Sequence, residues 1–366
     1  MGSTEPQKRA IFFSGEPKSI GHIYRVEHPV VALRRMGWTA KWASLEDSAS
    51  INEIDAADLV VVFRARLDPH YREIRSRCSL RRVPLVYDTD DLIFDPDLAS
   101  RGKIALFDVL GEEERLAWAR RVTSYRDAIA LADHVTVSTE PLAEAACRVV
   151  RSVSVLPNVL GPEMWEWAAA AKQDPPSNDD GAVRLIFASG TPTHHRDFRV
   201  AAKAIARVLE NQTGVSLTIL GPLELERFPE LAVFASRIEK RPRVPFASLF
   251  TELARAHINL CPLEPDNLFC NAKSAVRCLT ASALALPSIV SPTQPLREAV
   301  GNGEAGLVAH SPMEWESALQ RLITDPEFRT ETGRRAKALA LDLSDFATWC
   351  VRADGTLRDV LARNEA

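Results

Sequence analysis

The sequence predicts an α/β protein with two domains, each built on a parallel β-sheet. Short apolar segments alternate with longer segments of helical spacing, which is typical of sheets whose strands are joined by crossover helices. The alternation stops at about residues 169–181, where Pro, Asp, Asn and Gly cluster, and then restarts. Two successive sets of strands and helices therefore predict two Rossmann-like domains that face a central cleft, with ligands at the carboxyl ends of the strands.

The composition is that of a globular protein. At 366 residues, with 46% hydrophobic and 26% charged residues, the chain is long enough for two domains of about 150 to 200 residues. No apolar run approaches the roughly 18 residues that span a bilayer, and the polar start lacks the apolar region of a signal peptide. We therefore expect a cytoplasmic protein without a transmembrane segment.

Charge and cysteine usage exclude further classes. The net charge of −4 argues against a nucleic-acid partner, because no basic surplus is available to neutralise a phosphate backbone. The Arg-rich segment 75–82 reads as a solvated helix face and leaves a peripheral contact with an anionic membrane open. The six cysteines are scattered without a CxxC pair, which favours reduced thiols over disulfides or a zinc site.

The first domain is predicted to comprise residues 1–160. Its helix at 23–37 carries a buried face of Val, Leu and Met side chains and ends at Gly37, and a second helix is predicted at about 112–132. The predicted strands are 9–15, 38–44, 58–65, 83–94, 134–139 and 153–159. Because each strand is short and apolar, we expect a sheet that is covered on both faces.

The second domain is predicted to comprise residues 183–341, after a linker region at 161–182. Its strands are predicted at 183–190, 215–221, 257–263 and 287–291, and its helices at 196–211, 246–256, 271–286, 313–323 and 326–341. The tail, residues 342–366, contains an amphipathic helix at 346–364 that we expect to cross back onto the first domain.

The segment 264–287 (EPDNLFCNAKSAVRCLTASALALP) makes the most sense as a binding site. Asn271 is the predicted N-cap of its helix, and Pro287 ends it. This places Lys273 and Ser274 in the first turn, where a cation is unfavourable unless an anion shares the position. The pattern predicts a phosphate group that is held by the ammonium, the hydroxyl and the helix N-terminus. The alternative is a surface lysine that bends toward solvent.

A second candidate phosphate site is the turn 188–198 (ASGTPTHHRDF). Gly190 lets the backbone approach a ligand, Thr191 offers a hydroxyl and an N–H group, and Arg196 can bind phosphate oxygens. The turn is neither a GxGxxG nor a Walker A loop, so an ordinary βα loop with solvated His194 and His195 is the alternative. Arg196 and Lys273 both lie at predicted helix starts, and two cations that converge on one diphosphate are the simplest joint explanation.

Two polar stretches of the first domain lie near the ends of predicted strands, and the second of them opens the first helix. Residues 88–91 (DTDD) resemble the aspartates that hold Mg²⁺ on a sugar nucleotide, but we prefer a role at acceptor or sugar hydroxyls, with turn-capping aspartates as the alternative. Residues 19–27 carry His22, Tyr24 and Arg25, which face either the cleft or the packing around it. No hydrolase triad, HExxH motif or nucleophile elbow occurs, so hydrolase classes have no residues to support them.

The chain resembles GT-B glycosyltransferases of the kind grouped in glycosyltransferase family 4, also described as glycosyl transferases group 1. The resemblance rests on SGEPKSIGHIYRV, VVFRAR, VYDTDDLIFDP and LPNV in the first domain, on FASGTPTHHRDF, and most specifically on the segments 262–291 and 303–336. It implies a retaining transferase of hexosyltransferase type that acts in polysaccharide or natural-product biosynthesis. The implied donor is a nucleoside diphosphate sugar, the acceptor is a small molecule, a saccharide or a lipid-linked group, and the family uses no cofactor and usually no metal.

The resemblance also implies roles for individual residues. Arg196 and Lys273 are implied as the catalytic cations on the diphosphate. The implied donor-binding residues are Gly190, Thr191, His194, Glu264, Phe269, Asn271, Ser274 and Thr280. The implied acceptor-side residues are Gly15, Ser19, His22, Tyr24, Asp88, Asp90 and Asp91.

The sequence departs from the family at Thr280. Family members place a glutamate at this position, whose two oxygens accept hydrogen bonds from the nucleotide ribose. One hydroxyl cannot replace two carboxylate oxygens, so another residue supplies the contact, the donor differs, or catalysis is lost. The last case defines a rival interpretation, a degenerate GT-B protein that binds a nucleotide or a partner without transferring a sugar. A third interpretation is a GT-A enzyme that uses residues 88–91 for Mg²⁺.

Overall fold

The computed structural model describes residues 7–100, 104, 110–173, 182–190 and 194–365. Thr191 lies outside these residues, as does most of the composition break at 169–181. The described residues form two parallel six-stranded sheets, each flanked by helices. The fold is therefore α/β with two Rossmann-like halves, as the alternation of strands and helices predicts.

The N-terminal sheet has the strand order β2-β1-β3-β4-β5-β6. Its strands are β1 Arg9–Ser14, β2 Thr39–Ser44, β3 Leu59–Phe63, β4 Leu85–Thr89, β5 His134–Val137 and β6 Val153–Val155. The central strands β3 and β4 are buried along their whole length, because helices cover both faces. All six predicted strands are present, and each is shorter than the segment that predicts it, most of all β4 and β6.

The C-terminal sheet has the order β12-β11-β10-β7-β8-β9. Its strands are β7 Val183–Ala188, β8 Val215–Leu220, β9 Ile238–Arg241, β10 Ile258–Cys261, β11 Ser288–Val290 and β12 Leu307–Val308. The sequence did not predict β9 and β12. Both lie at sheet edges, where β9 (IEKR) carries charged residues and β12 has two residues, so neither shows an apolar run.

Helices connect these strands. The α-helices are α1 Ile20–His22, α2 His28–Arg35, α3 Pro69–Arg81, α4 Pro96–Ser100, α5 Glu112–Ala130, α6 Glu140–Ala146, α7 Pro162–Gln173, α8 His195–Asn211, α9 Pro229–Ala232, α10 Phe246–Ala254, α11 Leu268–Asn271, α12 Val276–Ala283, α13 Gln294–Ala299, α14 Pro312–Thr324, α15 Pro326–Leu343 and α16 Phe346–Glu365. Short 3₁₀ turns occur at Ser48–Ala56, Leu225–Arg227, Ala235–Arg237 and Gly301–Gly303. Helix α7 occupies the first part of the predicted linker, while the domain boundaries themselves stay a prediction.

The predicted helix at 271–286 is wrong in its first part. Asn267, not Asn271, is the N-cap: its side chain accepts from the backbone N–H groups of Phe269 and Cys270 and starts the one-turn helix α11. Asn271 is the last residue of α11, and α12 begins at Val276. Lys273 therefore lies in the connection between two helices and not in a first turn, so the helix N-terminus no longer supports an anion there.

Helix α16 packs on the N-terminal half of the molecule. Its Leu357, Val360 and Leu361 join the cluster around Phe12 and Val30. The indole N–H of Trp38 donates to Asp354 of α16 at 2.6 Å. No helix in the described part of the chain combines the length and the apolar character needed to cross a bilayer.

The two halves exchange side chains where they meet. Ala272 belongs to the N-terminal core cluster, and its carbonyl accepts a hydrogen bond from the Thr139 hydroxyl at 2.9 Å. In the opposite direction, Tyr24 belongs to a cluster made mainly of C-terminal residues. These contacts bring the carboxyl ends of the two sheets together around one cleft.

Candidate active site

A cavity of about 310 Å³ lies between the carboxyl ends of the two sheets. Asp90 and Asp91 reach it directly after β4, and Ser189 and Gly190 directly after β7. The side chains of α12 and of the segment before it form the wall opposite Asp90 and Asp91. Ligands of open parallel sheets bind at this position, so the cleft is the candidate active site.

One wall of the cleft is cationic. Lys273 and Arg277 both line it, and Arg243 adds an exposed guanidinium at its edge. The Nη1 atom of Arg277 is buried and has no hydrogen-bond partner among the described residues. A buried donor without an acceptor is costly, by about 1 to 3 kcal/mol. An anion in the cleft would remove this cost, and it would be held by two positive side chains.

Asp197 contacts the residues of this wall through both of its carboxylate oxygens. Its Oδ2 lies 2.7 Å from Nδ1 of His194 and 3.7 Å from Nζ of Lys273, and its Oδ1 accepts from the backbone N–H of Glu264 at 2.9 Å. Burial and the ammonium of Lys273 lower the pKa of His194 to about 4. Burial alone would raise the pKa of Asp197, but Lys273 and His194 hold it well below its usual range. His194 therefore lines the cleft as a neutral imidazole.

The facing wall carries carboxylates. The Arg64 guanidinium donates to Glu16 at 2.9 Å, to Asp90 at 2.9 and 2.6 Å, and to Asp91 at 2.9 Å. Burial raises the pKa of Asp91, and Arg64 and Lys273 oppose that rise. One arginine thus holds three acidic groups, so this side of the cleft is negative while the opposite side is positive.

Asp88 does not reach the cleft. It is buried and forms a two-point ion pair with Arg25, at 2.8 and 2.7 Å, and accepts from the Thr136 hydroxyl at 2.5 Å. Nη1 of Arg25 donates to the Leu156 carbonyl and, at 3.0 Å, to Oδ1 of Asn158. The predicted acceptor role of Asp88 is corrected to a packing role, because these partners occupy its oxygens beneath the site.

Three further predicted acceptor residues, Gly15, Ser19 and His22, also lie beside the cleft and do not line it. Ser19 caps α1 by accepting from the His22 N–H at 3.2 Å. His22 is buried, its Nδ1 lies 2.9 Å from the Ser14 hydroxyl, and its ring packs edge-on against Trp42. A Cβ at Gly15 would lie 2.4 Å from the Arg64 carbonyl oxygen, so this glycine permits close strand packing.

The predicted donor residues separate into two groups. Gly190, His194, Lys273, Ser274 and Thr280 line the cleft, and so does Tyr24, which was expected on the acceptor side. The others lie outside its lining. A guanidinium nitrogen of Arg196 lies 3.7 Å from a carboxylate oxygen of Glu264. Phe269 packs against the N-terminal core with its ring beneath the ammonium of Lys273, and Asn271 faces a separate cavity. The structure therefore pairs Lys273 with Arg277, not with Arg196.

Sequence reasoning missed Arg277, Arg243, Ser189 and Asn158, which all line the cleft. Arg277 had a usable signal, because it lies four residues after Lys273 and therefore on the same side of a helical segment. Asn158 had none of its own, since its contact with Ser274 of the second half depends on how the two halves meet.

The cleft has no obvious metal site in the part of the chain that the structure describes. No group of three or more His, Cys, Asp or Glu side chains is placed there to hold a metal ion. Asp88, Asp90 and Asp91 are instead ion-paired with Arg25 and Arg64.

Comparison with known proteins gives the same fold. The family model "Glycosyl transferases group 1" matches residues 182–325. No curated protein matches the chain by sequence. Solved structures match it over nearly their whole length at low identity, which supports the fold.

Three of these structures illustrate the likeness. Anabaena HepE in complex with UDP-glucose is 13% identical, with a TM-score of 0.65, over 96% of this chain and 99% of that one. Sucrose-phosphate synthase from Thermosynechococcus elongatus is 14% identical, with a TM-score of 0.63, over 98% and 100%. WaaG, a glycosyltransferase involved in lipopolysaccharide biosynthesis, is 13% identical, with a TM-score of 0.63, over 94% and 98%.

The GT-A interpretation is therefore wrong, because the two facing sheets have the GT-B arrangement of these neighbours. The match covers the cationic wall of the cleft, including Lys273, Arg277 and Thr280. Residues 182–325 match the model of the glycosyl transferases group 1 family, and the described chain has the GT-B fold of these neighbours.

Proposed function

We propose that the protein transfers a sugar from a nucleoside diphosphate sugar to an acceptor, with retention of anomeric configuration and without a metal ion. The observation that carries the proposal is the pair Lys273 and Arg277 on one wall of the cleft, with the Nη1 atom of Arg277 lacking a partner among the described residues. The acceptor is a small molecule, a saccharide or a lipid-linked group, in polysaccharide or natural-product biosynthesis.

The two cations suit the chemistry of a leaving diphosphate. Negative charge gathers on the phosphate oxygens as the glycosidic bond breaks, and positive groups that are already in place stabilise it without reorganising. Lys273 is held between Asp197 and the ring of Phe269, so its ammonium is oriented before the donor binds. The leaving phosphate then takes the proton of the acceptor, and no side-chain base is required.

The cleft also offers a place for a nucleobase. Beyond the cations its lining becomes apolar, with contributions from Leu220, Val244, Phe246, Leu249 and Leu296. A planar base would bury its faces there, while the phosphates stay at Lys273 and Arg277. The complexes of Anabaena HepE with UDP and with UDP-glucose support a uridine donor as the first to test.

Thr280 favours the rival function, a protein that binds a nucleotide without transferring a sugar. Its hydroxyl donates to the Val276 carbonyl at 2.7 Å, so its proton is already used within α12. A site with this residue lacks the carboxylate expected at the ribose. The pair of cations would bind a diphosphate in either function, so turnover is the property that separates the two.

The experiment uses the purified protein with UDP-glucose, GDP-mannose and TDP-glucose, with and without EDTA, and follows the released sugar by proton NMR. We expect hydrolysis or transfer from one donor, with the α-anomer formed first from an α-linked donor and equal turnover in EDTA. Binding of a nucleoside diphosphate in calorimetry, without turnover of any donor toward water or a panel of acceptors, would establish the rival. Initial formation of the β-anomer would overturn retention.

A further inference from the structure

Tyr24 is carried by an unusual turn of the first helical segment. The backbone N–H of His28 donates to the carbonyl of Ile23, five residues earlier, so Ile23–Glu27 form a π-helical turn. Such turns are frequent at functional sites, because the wider turn redirects consecutive side chains. Here Tyr24, Arg25 and Val26 are all buried, although they point to different surroundings.

The hydroxyl of Tyr24 is buried and without a partner. The side chain is 2% exposed, and its Oη atom makes no hydrogen bond to any described residue. The Thr280 hydroxyl is close enough to offset part of the rise that burial causes in the Tyr24 pKa, but the geometry between the two hydroxyls is not that of a hydrogen bond. A buried phenol hydroxyl normally has a hydrogen-bond partner, so the Tyr24 hydroxyl is available to bind a ligand.

The packing of the Tyr24 ring indicates where such a ligand would bind. The ring comes from the N-terminal half but packs against Phe246 of the C-terminal half, with ring centroids 6.2 Å apart. Tyr24, Phe246 and Thr280 all line the cleft. The tyrosine therefore crosses from one domain to the donor wall of the other.

The order of groups at the start of α12 identifies the part of a donor that reaches Tyr24. Lys273 lies in the segment just before α12, and Arg277 and Thr280 lie within the helix three residues apart, hence about one turn; all three line the cleft. The first two are cationic, and Phe246 beyond Tyr24 is apolar. In a nucleoside diphosphate the group between the phosphates and the base is the ribose.

We propose that the Tyr24 hydroxyl binds a ribose hydroxyl of the donor nucleotide, together with Thr280, and replaces the contact that a carboxylate at position 280 would make. The inference rests on the proposed function, since it assumes a nucleoside diphosphate in the cleft. A phenol donates one hydrogen bond and accepts another, so it can bind one member of a vicinal diol while the Thr280 oxygen accepts from the other. The donor site is then completed by the N-terminal domain.

The test is calorimetric titration of wild type and Tyr24→Phe with UDP and with 2′,3′-dideoxy-UDP, and with GDP and its dideoxy analogue in parallel. We expect Tyr24→Phe to weaken binding of the ribonucleotide about five- to tenfold, as for one lost hydrogen bond in a desolvated site, and to leave binding of the dideoxy analogue unchanged within about twofold. Thr280→Val should behave in the same way.

Tyr71→Phe is the matched control, because the hydroxyl of this buried tyrosine donates to the Ala128 carbonyl at 2.6 Å away from the cleft. We expect Tyr71→Phe to lower the thermal midpoint without changing affinity, and Tyr24→Phe to leave the midpoint at or above that of wild type. An equal loss for ribo- and dideoxynucleotide in Tyr24→Phe, or no loss, would overturn the ribose contact alone. If neither ribonucleotide bound to wild type, the proposed donor site itself would fail, and this inference with it.

Discussion

Nδ2 of Asn158 donates a hydrogen bond to Oγ of Ser274 at 3.3 Å, and this contact joins the end of the N-terminal half to the cationic wall of the cleft. The orientation of the amide is set from the other side, because its Oδ1 accepts from Arg25. Since Asn158 supplies the proton of this hydrogen bond, the hydroxyl proton of Ser274 remains free to point at a phosphate oxygen. We therefore expect Asn158 to orient the Ser274 hydroxyl toward a ligand in the cleft.

This relationship predicts non-additive effects of Asn158→Ala and Ser274→Ala on donor affinity. Each single change should weaken donor binding about fivefold, the size of one net hydrogen bond, and the double variant should be little weaker than either. The measurement is a double-mutant cycle on the dissociation constant of the nucleoside diphosphate. Additive losses would show that Asn158 does not act through Ser274.

Replacing one partner of the Arg25–Asp88 ion pair should destabilise the fold more than replacing both. Both side chains are almost fully buried, so Asp88→Asn or Arg25→Met leaves one buried charge without its partner and should cost about 3 to 5 kcal/mol of unfolding free energy. The double change Arg25→Met with Asp88→Leu should cost less than either single change. Urea unfolding gives the comparison, and equal or larger loss in the double variant would contradict it.

Two glycines predict opposite outcomes for the same substitution. Gly15→Ala would place a Cβ 2.4 Å from the Arg64 carbonyl oxygen, so we expect it to destabilise the fold by about 1 to 3 kcal/mol. Gly190→Ala meets no described atom within 4 Å and projects into the cleft, so we expect an unchanged thermal midpoint and weaker donor binding. Thermal unfolding and calorimetry on both variants check this; a stable Gly15→Ala variant would contradict the packing role of Gly15.

His134 predicts a loss of stability in mild acid. Burial, together with the nearby Arg363, lowers its pKa from 6.5 to about 4, so the unfolded chain binds a proton that the folded protein does not. The contribution of neutral His134 to the unfolding free energy is fully present above about pH 6.5. It is lost as the pH falls toward 4, and the loss reaches about 3 kcal/mol for a shift of this size. His194 contributes in the same window, since its pKa is also lowered to about 4.

The measurement for His134 is urea unfolding of wild type and His134→Gln at pH 7, 5.5 and 4.5. The variant should lose less stability between pH 7 and 4.5 than wild type does, whatever its stability at pH 7. An identical pH dependence in the two proteins would show that His134 does not cause the acid sensitivity.

The periodicity of the sequence was enough to predict most of the fold. Strands such as Leu59–Phe63 are apolar throughout because both faces are covered, and this pattern is local. The edge strand Ile238–Arg241 is not predicted by this pattern, because it carries charged residues and only its pairing with β8 makes it a strand. The sequence misplaces the start of α12, because Asn271 is a good N-cap by residue type but ends the one-turn helix α11, and α12 begins at Val276 without a side-chain cap.

The candidate site was less predictable, because it is assembled from both halves. Lys273 was found from its place next to Ser274 near a helix start, although the helix begins later than expected. Arg25 and Asp88 look like site residues in sequence, yet each satisfies the other below the cleft. The sequence predicts Tyr24 on the acceptor side, whereas its ring packs on Phe246 of the C-terminal half.

The most direct test of a donor diphosphate at the cationic wall is the turnover of Lys273→Ala with the nucleotide sugar that wild type uses. Lys203→Ala, an exposed lysine of α8, is the matched control. Loss of one preorganised charge at the leaving group should lower kcat of Lys273→Ala by about 10²- to 10³-fold, while the control keeps the turnover of wild type. A Lys273→Ala protein that kept near wild-type turnover would contradict the diphosphate site.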